Sequence, residues 1–86
     1  MQEIIPVDVN AVFNTLGEIQ PRYVRLEFDH ELITYKIEQI ITIDKTRTAG
    51  FHCVLFRCKI NRSGRLTEIH LRYTSESNIW HILEIR

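Results

Sequence analysis

No apolar run in the chain approaches the roughly 18 residues that a membrane-spanning helix needs. The opening residues, Met1-Gln2-Glu3-Ile4-Ile5-Pro6, lack the basic segment and long apolar stretch of a secretory signal, which makes the cytosol the default compartment. There is no Gly-rich phosphate loop, no metalloprotease helix and no dinucleotide fingerprint. Cysteine occurs only twice, and the Cys-x2-Cys knuckle of zinc modules is missing. Two cysteines without an export signal read as reduced thiols. A net charge is missing as well, because 11 Lys and Arg balance 11 Asp and Glu.

What is present is one domain's worth of alternating apolar and polar residues. Eighty-six residues make a single domain, 1–86. A chain of that size buries only about 60–65% of the surface that its unfolded form exposes, so its core is thin and association is a cheap way to enlarge it. A hydrophobic content of 44% fits an ordinary globule rather than a disordered tail.

Period-two alternation dominates. Thr67-Glu68-Ile69-His70-Leu71-Arg72-Tyr73 alternates without a fault, as in a strand with one buried face. Val24, Leu26 and Phe28 form a second stripe, and Ile33, Tyr35, Ile37, Ile41 and Ile43 a third. Turn signals separate the runs at Asn14–Gly17, Asp29–Glu31, Asn61–Gly64 and Ser75–Asn78. The expected fold is all-β: a small single-domain antiparallel meander of about six strands, curved strongly or closed into a barrel.

Residues 8–17 carry two readings. Val9, Val12, Phe13 and Leu16 fall on a two-turn helical stripe, with Asp8 able to cap its start and Gly17 its end. Val7, Val9, Ala11 and Phe13 fall on a strand stripe. Asn10 and Asn14 are poor helix formers and the stretch is short, which favours the strand.

The segment 51–73 invites a register. Pairing Ile60 with Arg65 across a four-residue turn sets Phe56 against Ile69 and Val54 against Leu71, with Arg57 opposite Glu68 and Cys53 opposite Arg72. An even index sum would instead set Phe56 against Glu68 or His70, so apolar matching selects the odd register.

The pattern Val7-x-Val9-x-Ala11-x-Phe13, then Gly17-x-Ile19-x-Pro21, Tyr35-x-Ile37-x-x-Ile40 and Ile79-Trp80-x-Ile82, resembles a group of small bacterial proteins common in Firmicutes. The resemblance spans nearly the whole chain, though its motifs are turns and core positions. It implies an all-β barrel-like fold and no established activity. Members encoded near DNA-repair polymerases lean the implication toward nucleic acid. The chain departs from the group in a longer Asp44–Gly50 connection and extra N-terminal residues, and no functional residue carries over.

Chemistry-bearing residues are sparse. Cys53 and Cys58 are five apart, which on a strand sends them to opposite faces, where they can share neither a disulfide nor a metal. Cys58 reads as a core residue and Cys53 as a thiol near the surface. Ser63, Ser75 and Ser77 sit in turns, where hydroxyls bond to nearby backbone. No nucleophile, base and orienting group converge, so neither an enzyme nor a cofactor or metal site is expected.

Charge is segregated along the chain: residues 1–44 carry a balance of −5, residues 45–72 one of +6 and residues 73–86 one of −1. Lys45, Arg47, Arg57, Lys59, Arg62, Arg65 and Arg72 make up the basic stretch, with Lys45 and Arg47 expected on the loop before the hairpin. Together with Tyr23, Tyr73 and Trp80 as stacking platforms, they form a candidate surface for single-stranded nucleic acid. A sequence pI near 6.9 is low for a dedicated nucleic-acid binder. The leading expectation is a non-catalytic interaction module that pairs with a second copy or another protein. Its open edge is expected in Leu32–Ile43, with Ile40 exposed and Pro6 guarding the first strand.

Overall fold

The computed structural model describes residues 4–86. Six antiparallel strands follow one another: β1 (Ile5–Phe13), β2 (Ile19–Phe28), β3 (Glu31–Thr48), β4 (Phe51–Arg62), β5 (Arg65–Thr74) and β6 (Ile79–Ile85). Each pairs with its chain neighbours, and β6 returns to β1, which closes a barrel. Residues 8–13 are therefore strand, and the helical stripe of that region has no counterpart. The segment 14–17 is a turn, in which the Asn14 side chain accepts hydrogen bonds from the amides of Leu16 and Glu18. No helix among the described residues is long and apolar enough to cross a membrane.

The core follows the alternation. Val24 and Leu26 of β2, Ile37 of β3, Phe56, Cys58 and Ile60 of β4, Ile69, Leu71 and Tyr73 of β5, and Trp80 and Ile82 of β6 are buried together. At one end of this core, Trp80 packs between Phe56 and Tyr73, with ring centroids 5.5 and 5.0 Å away. Val7, Val9 and Ala11 line the interior from β1, whereas Phe13, the last residue of the same stripe, is 64% exposed.

Two of the barrel's bulges lie in β3. Along β3, Ile37 opposes Ile60, Ile40 opposes Cys58 and Ile43 opposes Phe56, so Glu38 and Ile41 are extra residues without β4 partners. Each bulge advances the inward position by three residues instead of two and bends the strand. Ile40 is consequently turned against the core rather than exposed, and Ile41 leaves the inward stripe that simple alternation assigns to it.

The β4–β5 register is odd, as apolar matching requires, but is displaced by two residues from the expected one. Ile60 opposes Thr67, Phe56 opposes Leu71 and Val54 opposes Tyr73. The cause is the turn. Ser63 and Gly64 alone make it, with φ of 53° and 83°, and Arg62 faces Arg65 across it. Positive φ at both central residues is the type I′ geometry whose twist matches that of a hairpin. Cys53 thus opposes Thr74 rather than Arg72, and it is buried instead of lying near the surface. Lys45 and Arg47 lie within β3, not on a loop, because another two-residue turn, Ala49-Gly50, makes the connection.

Candidate interaction surface at the open mouth

The barrel is closed by pairing around its circumference, but not along its full height. Pairing of β2 with β3 runs from Phe28 opposite Glu31 to Tyr23 opposite Lys36 and stops there. From Ile37 to Thr48, β3 pairs with β4 alone. The bulges at Glu38 and Ile41 start where the β2 partnership ends and swing the strand away. Pro21, which has no backbone N–H, lies on the facing stretch of β2, where an N–H would otherwise serve pairing. Over this length one edge of β3 carries backbone donors and acceptors with no partner strand among the described residues.

Between that edge and the β1–β2 hairpin lies a cavity of about 280 Å³. Its walls include Phe13 and Leu16 from the hairpin, Ile43 from β3, Val54 from β4 and Tyr73 from β5, with Lys45 at the rim. Phe13, Leu16 and Ile43 are 64%, 81% and 53% exposed. Three large apolar side chains thus cluster around one cleft instead of being scattered singly over the surface. The expected open edge, Leu32–Ile43, overlaps this stretch only in its second half. Leu32–Lys36 is engaged by β2.

Thr42 adds a polar feature to the same edge. Its hydroxyl oxygen is buried and has no hydrogen-bond partner. An orphaned hydroxyl of that kind costs about 1–3 kcal/mol.

The seven basic residues do not form one patch. Arg57 and Lys59 of β4 and Arg72 of β5 share the outer wall, but Glu68 and Glu84 are interleaved with them. Glu68 accepts from Arg57 Nε at 3.3 Å and is 2.7 Å from His70 Nε2, while His70 Nδ1 is 3.2 Å from Glu84. Hydrogen bonds from His70 and Arg57 pull the Glu68 carboxyl down to about 2. Arg72 opposes His81, whose ring is buried enough to lower its pKa, with the nearby guanidinium acting in the same direction.

Arg47 is near the Ala49-Gly50 turn. It donates to His52 Nε2 at 2.9 Å, and Nδ1–H of the same ring donates to Glu76 at 2.8 Å. A guanidinium has no acceptor, so this chain requires the neutral Nδ1–H imidazole. Bonds from the His52 ring and amide hold the Glu76 carboxyl below the usual carboxylate range.

Arg62 and Arg65 are at the opposite end. Ten residues of strand separate His52 from Arg62, roughly 33 Å at about 3.3 Å per residue, which is nearly the 35 Å length of the molecule. The stacking platforms divide in the same way: Tyr73 and Trp80 are buried, and only Tyr23 is exposed, on the β1–β2 wall.

Periodicity along the chain does not reveal the apolar mouth, because Val9, Val12, Phe13 and Leu16 stand out in the sequence only as a helical face. Only the turn at 14–17 turns Phe13 and Leu16 outward together. No protein-family model, curated protein or solved structure matches the chain. The resemblance to the Firmicutes group therefore rests on its motifs alone.

Proposed function

We propose that the protein is a non-catalytic interaction module that pairs with a second copy of itself along the open edge of β3. The observation that carries this reading is that residues 37–48 have a strand partner on one side only, beside an apolar cleft. An unpaired edge is a template for strand addition.

Charge and side-chain facing favour a register centred on Ile43 over those centred on its neighbours Asp44 and Lys45. In an antiparallel pair formed about a two-fold axis, opposed residues share a face, so the axis must pass through one residue position. Centring on Asp44 sets two carboxylates against each other, and centring on Lys45 sets two ammonium groups together; like charges directly opposite destabilise a sheet. Centring on Ile43 sets isoleucine against isoleucine and places Thr42 opposite Asp44 of the second copy. That pairing sets a hydroxyl-bearing residue, not a like charge, against each carboxylate. The exposed Ile43 side chains bury one another beside Phe13 and Leu16.

Nucleic-acid binding through the basic stretch has weaker support, since carboxylates neutralise the outer wall and two of its three aromatic platforms are internal.

Sedimentation at micromolar concentration tests the proposal. The wild-type chain is expected to sediment with twice the 10.3 kDa monomer mass. Ile43→Lys, at an exposed position, places two charges at the axis and is expected to yield a folded monomer, whereas Ile43→Val retains the dimer. A wild-type chain that stays monomeric, or an Ile43→Lys variant that remains dimeric with an unchanged circular-dichroism spectrum, refutes it.

A further inference from the structure

At the end of the barrel opposite the mouth, Arg62, Ser63, Arg65, Thr67, Ile85 and Arg86 line a shallow cleft of about 650 Å³. No carboxylate side chain is among these six. We infer that this cleft binds a terminal phosphoryl group, a dianion held by the guanidinium groups of Arg62 and Arg65.

The hairpin itself creates the site. Arg62 and Arg65 are direct cross-strand partners flanking the Ser63-Gly64 turn. Two like charges in that relation repel, and an anion between them converts the repulsion into attraction. Arg62 is already fixed, with its guanidinium carbon 3.6 Å from the centroid of the Phe28 ring. Stacking on an aromatic face leaves the planar N–H fork free at its edges for a bidentate oxyanion. Arg65 has no ion-pair partner among the described residues, and its side chain is exposed.

The remaining lining groups fit the same ligand. Ser63 and Thr67 bring hydroxyl donors, Thr67 from a buried inward position of β5. Arg86 supplies a third guanidinium, although Glu84 engages it at 3.1 Å and its charge is partly spoken for. The two arginines of the turn therefore carry the affinity, and Arg86 contributes a longer-range attraction. The cleft occupies one end of the barrel and does not continue along the wall, where Glu68 and Glu84 intervene. That geometry suits one phosphoryl group and not the repeated diesters of a nucleic-acid strand.

The test is a titration of the isotope-labelled chain with inorganic phosphate, followed through its backbone amide resonances at constant ionic strength. Saturable shifts are expected at Ser63, Gly64 and Thr67 at millimolar phosphate, and Arg65→Gln is expected to weaken binding about tenfold or more. Arg86→Gln is expected to have a smaller effect. Chloride at equal ionic strength, and a single-stranded oligonucleotide without terminal phosphates, are expected to leave the three resonances in place. The inference is overturned by absence of shifts at millimolar phosphate, by equal binding to Arg65→Gln, or by equal shifts with chloride or the oligonucleotide. Because the mouth and this cleft are at opposite ends of the barrel, Ile43→Lys is expected to bind phosphate as the wild type does.

Discussion

Glu68 shows how a single side chain can carry acid sensitivity. Its folded pKa of about 2 lies below the ordinary carboxylate value, because His70 and Arg57 hydrogen-bond the ionised form. A depressed carboxyl pKa stabilises the fold fully above the unfolded pKa, and that contribution is lost as the pH falls through the folded one. The loss thus spans the range from 4.5 down to about 2. Urea midpoints measured across this range are expected to fall more steeply for the wild type than for Glu68→Gln, which starts lower near neutral pH and has a flatter profile. Parallel profiles for the two proteins would show that Glu68 is not coupled to folding in this way. The identity of this partnership was half legible in the sequence. Arg57 and Glu68 were expected to meet as direct opposites, and they meet on the diagonal, with His70 taking the opposed position. What alternation could not indicate was the second carboxylate, Glu84, which reaches His70 only because β6 carries a bulge residue, Leu83, between Ile82 and Glu84.

Among the elements, the β4–β5 hairpin is the most completely determined by local rules. The odd register followed from matching apolar residues, but the two-residue displacement followed from turn length, a choice that Asn61-Arg62-Ser63-Gly64 leaves open. Asn61 settles it by accepting a hydrogen bond from the Gly64 amide at 2.8 Å. Gly64 has a φ of +83°, and a Cβ added there would meet nothing within 4 Å, so the cost of a side chain is purely conformational. Gly64→Ala is expected to lose about 1–2 kcal/mol in chemical denaturation. Ser63→Asn, which supplies the residue preferred before glycine in this turn type, is expected to be neutral or to gain a few tenths of a kcal/mol. A neutral Gly64→Ala would contradict the assigned turn. The long β3 strand lies at the other extreme. Its bulges at Glu38 and Ile41 left no mark in composition, because isoleucine occupies positions 37, 40, 41 and 43 and fits either an unbroken strand or a bulged one. For the same reason Ile40 was expected outside and is turned inward. Lys45 and Arg47, expected on a loop, are strand because the tight Ala49-Gly50 turn lets β3 run on to Thr48.

At the scale of the whole molecule, a meander of six strands encloses a thin core, as the chain's length and alternation foretold. The point of incomplete closure was not foretold. It arises where β3 leaves β2, and it gives the two ends of the barrel different characters: an apolar mouth beside an unpaired edge, and a cleft of arginines around a tight turn. The charge segregation visible along the chain does not survive folding as a single basic face, since the barrel sets acidic residues of later strands among the basic ones. Neither end could be located without the strand registers, although each of the side chains that line them is plain in the sequence.

Amide hydrogen exchange of β3 at protein concentrations above and below the dissociation constant of the dimer tests edge pairing most directly. Along Thr42–Thr48, beyond the second bulge, alternate amides point toward β4 and toward the open edge. Pairing with a second copy predicts that the edge-facing set is protected at high concentration and exchanges rapidly after dilution, while the amides of β4 and β5 keep their protection throughout. Rapid exchange of the edge-facing set at every concentration, or protection that does not change on dilution, would contradict it.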